Sequence, residues 1–183
     1  LDLNDTSKIR DKIIQINPDW IINCGAYTNV ELAEKYPEEA LLTNHIATKE
    51  LALSTLAVKA KLIHISTDYV FDGMTTTPYK TNSARNPINQ YGNSKALGEK
   101  VIENILNENN AVIIRTSWLV SHIGENFVKK ILNLYQNNKP MKIVEDQYGS
   151  LTSTYSLSNA CWKIINIFQN NVFKKEGPAK IIH

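Results

Sequence analysis

Short, unbroken apolar runs alternate along this chain with longer stretches whose apolar residues recur at helical spacing, and that alternation restricts the fold more than any other feature. The runs cover residues 20–24 (WIINC), 61–66 (KLIHIS), 111–115 (AVIIR) and 141–144 (MKIV). Asp5-Thr6-Ser7 precedes a first helical stretch carrying Ile9, Ile13, Ile14 and Ile16. Residues 37–59 form a second, with Leu41, Leu42, Ile46, Leu51, Leu53 and Leu56. Residues 91–107 form a third, with Leu97, Val101, Ile102, Ile105 and Leu106, and residues 126–137 and 156–170 supply two more. Parallel strands need long crossover connections, usually helices, and a strand covered on both faces reads as a continuous apolar run. The expected fold class is therefore α/β, a doubly wound parallel sheet.

Composition narrows the function. With 183 residues, 43% of them hydrophobic and 21% charged, the chain suits one domain with a true core. Its 20 basic and 18 acidic side chains leave a formal charge of +2 with no basic block, so neither nucleic acid nor a membrane surface is expected as partner. No apolar run approaches the roughly 20 residues of a membrane span. Cys24 and Cys161 match no disulfide or metal spacing, so no metal site is expected and a reducing cytoplasm is the expected compartment. The chain opens on Leu1 and closes on residues 180–183 (KIIH), which read as a strand just begun, so both ends read as cut.

In an open parallel sheet, ligands bind beyond the carboxyl ends of the strands. Polar residues gather at three such ends: Asn23 to Thr28, Ser66-Thr67-Asp68, and Arg115-Thr116-Ser117-Trp118. Each alone is an ordinary turn-maker. Tyr91 and Lys95, four apart at a helix start, share one helical face. A phenol with its ordinary pKa of about 10 serves acid–base chemistry at neutral pH only when something stabilises its phenolate, and a lysine one turn away supplies positive charge. With a Thr67 hydroxyl at the same sheet edge, the set becomes an orienting hydroxyl, a proton donor and a tuning charge. Reduction of a ketone by hydride needs that combination, because the new alkoxide must take a proton. His64, within a strand, reads as a core histidine; Cys24, Trp20 and Trp162 read as packing residues.

Six segments occur in a telling order: N-x-x-x-Y-T at residues 23–28, HISTDYVFDG at 64–73, NPINQYGNSK at 86–95, RTSW at 115–118, G-x-N-F at 124–127 and DQYGSLTS at 146–153. Together they resemble the extended short-chain dehydrogenase/reductases, and within them the dTDP-4-dehydrorhamnose reductase family. The resemblance implies a Rossmann-like, NAD(P)-binding fold over residues 1–183, a partial domain with the start of the substrate-binding part. In that family a first strand, a G-x-x-G-x-x-G turn and a helix precede the position matching Leu1; that turn pattern is absent here, where only 7 glycines occur.

The resemblance makes Tyr91 the proton donor, Lys95 the residue that binds the nicotinamide ribose and lowers the tyrosine pKa, and Thr67 the orienter at the substrate carbonyl. It places Asp2, Leu3, Ala26, Tyr27, Thr28 and Ile65 along the cofactor, NADPH or NADH. Asp68, Trp118, Asn126 and Gln147 fall to the sugar nucleotide. The implied reaction reduces C4 of dTDP-4-dehydro-6-deoxy-L-mannose to give dTDP-L-rhamnose. Magnesium and a homodimer are further features the family allows. Val120-Ser121 stands where the family usually has Tyr-Gly, and Leu151 where it usually has proline. Two other readings stay open: a non-catalytic NADP-binding regulatory subunit like that of methionine adenosyltransferase, and an inactive fragment.

Overall fold

The computed structural model describes residues 1–169 and 178–183. In chain order the elements are α1 (Thr6–Ile16), β1 (Trp20–Asn23), α2 (Val30–Lys35), α3 (Pro37–Leu41), a π-helical turn (Leu42–Ile46), α4 (Ala47–Ala57), β2 (Lys61–Thr67) and a 3₁₀ turn (Asp68–Val70). There follow α5 (Gln90–Ile105), β3 (Ala111–Thr116), β4 (Leu119–Val120), α6 (Phe127–Gln136), β5 (Thr152–Ser153), α7 (Thr154–Gln169) and β6 (Lys180–Ile182). They fall into two compact units, the first formed by Leu1–Arg115 with residues 178–183 and the second by residues 116–169.

The first unit carries a sheet in the order β1-β2-β3-β6. β1 runs parallel to β2, with Asn23 opposite His64, and β3 runs parallel to β6, with Ile113 opposite Ile181. Successive strand residues point to opposite faces. Leu62, Ile63 and His64 in β2 are all buried, as are residues 111–115 in β3, so both faces of the central strands are covered. One cover is an apolar cluster of Ala52 from α4, Ile102 from α5, and Leu62, Ala111 and Ile113 from the strands. A second cluster joins Ile9 and Ile13 of α1 to Ala47 and Leu51 of α4. This is the expected α/β sheet with flanking helices, and the run at residues 180–183 does become a strand.

Residues 141–144 do not. They lie outside any regular element, with Ile143 and Val144 exposed, and the place beside β3 belongs to β6. Three apolar residues in a run of four make a strand only where a neighbour offers a ladder, and among the described residues no strand pairs with these. The helix expected over 37–59 is interrupted by the π-helical turn, and α2, only six residues long, was not expected at all. Its start is fixed by Asn29, whose side chain accepts from Leu32 N–H. The last helix is described over Thr154–Gln169; Asn170, the end expected from sequence, lies outside the described residues.

The second unit contains the short parallel pair β4–β5, where Leu119 faces Thr152, with α6 and α7. Trp162, expected to pack, is exposed: Cys161, Ile165 and Phe168 form the buried stripe of α7, and Trp162 is turned about 100° from Cys161 around the helix. Cys24 is exposed as well, in the segment that leaves β1.

Two glycines set how closely α5 approaches its neighbours. A β-carbon at Gly92 would overlap the Tyr69 carbonyl of the 3₁₀ turn, and one at Gly98 would overlap the Asn44 carbonyl of the π-helical turn. Gly98→Ala is therefore expected to push α5 outward and destabilise the full-length protein by about 1–3 kcal/mol, the cost of overpacking. Urea denaturation checks it; an unchanged midpoint would show that the helix shifts without cost.

Candidate active site

Helix α5 begins at an Asn89 cap, whose side chain accepts from Gly92 N–H at 2.7 Å. Its inner face is unusually polar, burying Tyr91, Ser94, Lys95 and Glu99. β2 ends at Thr67, which caps the 3₁₀ turn: its hydroxyl accepts from Tyr69 N–H at 3.2 Å and donates to Asp68 Oδ1 at 3.1 Å. The first turn of α5 thus meets the end of β2 and brings Tyr91 to Thr67. Tyr69 meets the Tyr91 ring edge-on, with centroids 5.5 Å apart. Burial raises the Tyr91 phenol above its ordinary pKa; the nearby Thr67 hydroxyl opposes this, and Asp68 and Tyr69 add to the rise. Burial likewise raises Asp68, with Thr67 pulling the other way. The resemblance expects Lys95 to lower the phenol. In the structure burial governs it, and the phenol stays protonated at neutral pH.

Lys95 is 2% exposed. Its Nζ donates to Ile65 O at 2.7 Å and lies 3.4 Å from His64 Nε2. Burial lowers its pKa from 10.5 to about 8, against the opposing pull of Glu99 and Cys24. The chain therefore holds a lysine that changes charge near neutral pH, one helical turn from a protonated phenol.

Asn44, in the π-helical turn, ties the segment after β1 to this helix. Its Oδ1 accepts from Tyr27 N–H at 2.9 Å, and its Nδ2 donates to Tyr27 O at 3.0 Å and to Ser94 Oγ at 2.9 Å. Ser94 Oγ in turn donates to Tyr91 O at 2.7 Å. Tyr27 and its neighbours Ala26 and Thr28 are thereby held at the same sheet edge as Tyr91 and Lys95. Leu3 lies against Gly25 in that segment, whereas Asp2 is exposed and accepts from Asn4 N–H at 2.9 Å. Sequence reasoning passed over Asn44; a π-helical turn, often found at functional sites, is the signal that marks it.

Behind Lys95, Glu99 is fully buried and collects cations. Arg115 Nη2 reaches it at 2.7 Å and Arg85 Nε at 2.5 Å, while Ser66 Oγ donates at 2.5 Å. Arg85 also pairs with Glu103, and Arg115 Nη1 donates to Thr81 O at 3.2 Å. Burial alone would raise the Glu99 carboxyl; Arg115, Ser66 and Arg85 outweigh it and hold it below its ordinary value.

The remaining expected residues lie in the second unit. Trp118 stands at φ 44°, its ring 6.0 Å from Phe127 and against Gly149. Asn126 caps α6, accepting from Lys129 N–H at 3.1 Å and donating to Ser121 O at 2.7 Å. Gln147 is exposed, outside any regular element. Among the described residues no group of three or more His, Cys, Asp or Glu is placed to hold a metal, and no helix is long and apolar enough to cross a membrane.

With this geometry in place, comparison with known proteins assigns the chain. The family described as the RmlD substrate binding domain matches residues 1–177, and the chain belongs to it. A dTDP-4-dehydrorhamnose reductase of Sinorhizobium fredii is 39% identical over 89% of this chain and 54% of its own. The Bacillus subtilis spore coat polysaccharide biosynthesis protein SpsK is 37% identical, over 91% of this chain and 58% of its own. The crystal structure of dTDP-4-dehydrorhamnose reductase from Bacillus anthracis, in complex with NADP, superposes with a TM-score of 0.87 at 38% identity, covering 92% of this chain and 59% of that one. This chain thus spans between about half and three fifths of the length of these relatives.

Glu99→Gln is expected to destabilise the full-length protein by about 3–5 kcal/mol, because two guanidiniums lose a buried partner. In the parent protein the Glu99 contribution is complete above its ordinary value of 4.5 and fades as pH falls through the lowered folded value. Denaturant midpoints measured from neutral to acid pH test both; equal stability of the two proteins at neutral pH would contradict the pairing.

Proposed function

We propose that the full-length protein reduces the C4 ketone of dTDP-4-dehydro-6-deoxy-L-mannose with NADPH or NADH, giving dTDP-L-rhamnose. The observation that carries this reading is the burial of Tyr91 in the first turn of α5, against Tyr69 of the turn that follows Thr67, with buried Lys95 one turn further along the helix. A reduced dinucleotide, when bound, would supply the hydride for C4. Tyr91 gives its phenolic proton to the oxygen that becomes the product hydroxyl, and a phenol kept protonated by burial is ready for that donation. Thr67 offers a second hydroxyl to the same oxygen and fixes its direction. Lys95 favours the phenolate left behind and, with more N–H bonds than Ile65 O uses, suits the hydroxyls of the nicotinamide ribose.

In this reading Leu3, Ala26, Tyr27, Thr28 and Ile65 line the dinucleotide, with Asp2 toward its adenine. Asp68, Trp118, Asn126 and Gln147 serve the sugar nucleotide. The similarity to S. fredii and B. anthracis reductases supports the substrate class, and a Streptomyces niveus relative named dTDP-4-keto-6-deoxy-D-glucose reductase shares the dTDP-linked 4-keto-6-deoxyhexose. Among the described residues no three His, Cys, Asp or Glu side chains gather where they could hold magnesium. The presence of Thr67, Tyr91 and Lys95 together also favours catalysis over a purely regulatory role.

Tyr91→Phe is expected to lower kcat on the order of 10²-fold or more while leaving dinucleotide affinity nearly unchanged. Steady-state reduction of the dTDP-4-keto sugar and a fluorescence titration of cofactor binding read the two quantities. Normal turnover in the variant would remove Tyr91 from the mechanism.

A further inference from the structure

Asn23 and His64 are register partners on parallel neighbouring strands, so their side chains leave the sheet on the same side. They are 5% and 1% exposed. Asn23 Nδ2 lies 3.0 Å from His64 Nδ1, and His64 Nε2 lies 3.4 Å from Lys95 Nζ. A third bond decides which ring nitrogen carries the proton: Gly25 N–H donates to Asn23 Oδ1 at 3.2 Å. A backbone N–H only donates, so that end of the amide is oxygen and the end facing the imidazole is NH₂. Asn23 therefore donates, Nδ1 accepts, and the neutral ring carries its proton on Nε2, facing Lys95. An ammonium group has three donors and no acceptor. Nε2–H finds a lone pair at Nζ only when Lys95 is the neutral amine.

We infer that Asn23 and His64 are positioning residues for Lys95: Asn23 fixes the imidazole tautomer, and the Nε2–H of His64 favours the uncharged form of the lysine. The pairing itself is independent of the proposed reaction; its consequence for Tyr91 rests on the reductase reading. The groups facing Lys95 are His64 from β2, Cys24 from the segment after β1, and Glu99 on α5 itself. Glu99 and Cys24 favour the ammonium and burial opposes them, while the Glu99 charge is shared with Arg115 and Arg85; the Nε2–H of His64 is proposed to act with burial. Burial, and then Lys95, hold the His64 pKa well below its ordinary value, and the ring stays neutral. Lys95 thus changes charge near the working pH rather than far above it.

The first test is the tautomer of His64 in the full-length protein labelled with nitrogen-15 in histidine, read from two-bond proton–nitrogen correlations between about pH 6 and 9. The ring is expected to carry its proton on Nε2 throughout. A proton on Nδ1, or an imidazolium, overturns the proposal whether or not the protein reduces a sugar. The second test is Asn23→Asp, which keeps an oxygen for Gly25 N–H and replaces the donor facing His64 by an acceptor. His64 should switch to Nδ1–H, and the Lys95 titration followed at Nζ should rise by about one unit or more, a tenfold change in proton affinity. His64→Gln adds no charge, offers Lys95 an amide oxygen, and should move the titration the same way. The matching limb of the kcat/KM pH profile should move with it. A Lys95 titration that stays in place in both variants overturns the proposal. Shifts at His64 and Lys95 in a protein with no reductase activity support the positioning role and remove only the proposed reaction.

Discussion

Helix α5 lies close against the end of β2 because two of its residues have no β-carbon to hold it away. Gly92 lets its first turn touch the Tyr69 carbonyl, and Gly98 lets its middle touch the Asn44 carbonyl. The close approach carries a polar inner face into the interior, which is tolerable only if each polar group finds a partner. Lys95 takes the Ile65 carbonyl, Ser94 takes the Tyr91 carbonyl, and Glu99 takes two arginines and a serine. The same approach sets the Tyr91 phenol against the turn that follows β2 and a lysine near a histidine. Scaffold and candidate site are thus one arrangement: the contacts that let the helix dock also fix its reactive side chains.

Burial then sets the protonation states. It raises Tyr91 and lowers Lys95, so the phenol holds its proton while the lysine approaches neutrality. Both shifts favour uncharged forms, as expected where water is scarce. A proton donor benefits directly. The lysine gains a charge sensitive to whatever oxygen or N–H faces it, which is why the His64 tautomer matters.

The sheet was legible because continuous apolar runs mark strands: β2 and β3 are covered on both faces, while β1 and β6, at the ends of the strand order, are apolar but only partly covered. Residues 141–144 look the same in sequence but have no ladder to join, and pairing is not written in a four-residue window. The placement of Tyr91 and Lys95 on one buried face of α5 was legible from their spacing of four, and that of Thr67 from its position at the end of an apolar run. Asn44, and the link between Asn23, His64 and Lys95, were not. The Asn44–Tyr27, Asn23–His64 and His64–Lys95 contacts each join residues at least 17 positions apart, and nothing local in the sequence marks such a pairing. His64 is indeed buried in its strand; its partners give it a further part to play. Asn126, expected at the sugar, also has a local task as the cap of α6.

The most direct test is a crystal structure of the full-length protein with the reduced dinucleotide and a dTDP-linked 4-keto-6-deoxyhexose, trapped in the Tyr91→Phe variant. The account predicts that the sugar C4 oxygen lies within about 2.6–3.2 Å of Thr67 Oγ1, at hydrogen-bond reach of the point where the phenolic oxygen would stand. It also predicts Lys95 Nζ against the ribose hydroxyls. A sugar bound with its C4 oxygen away from both side chains would contradict the account.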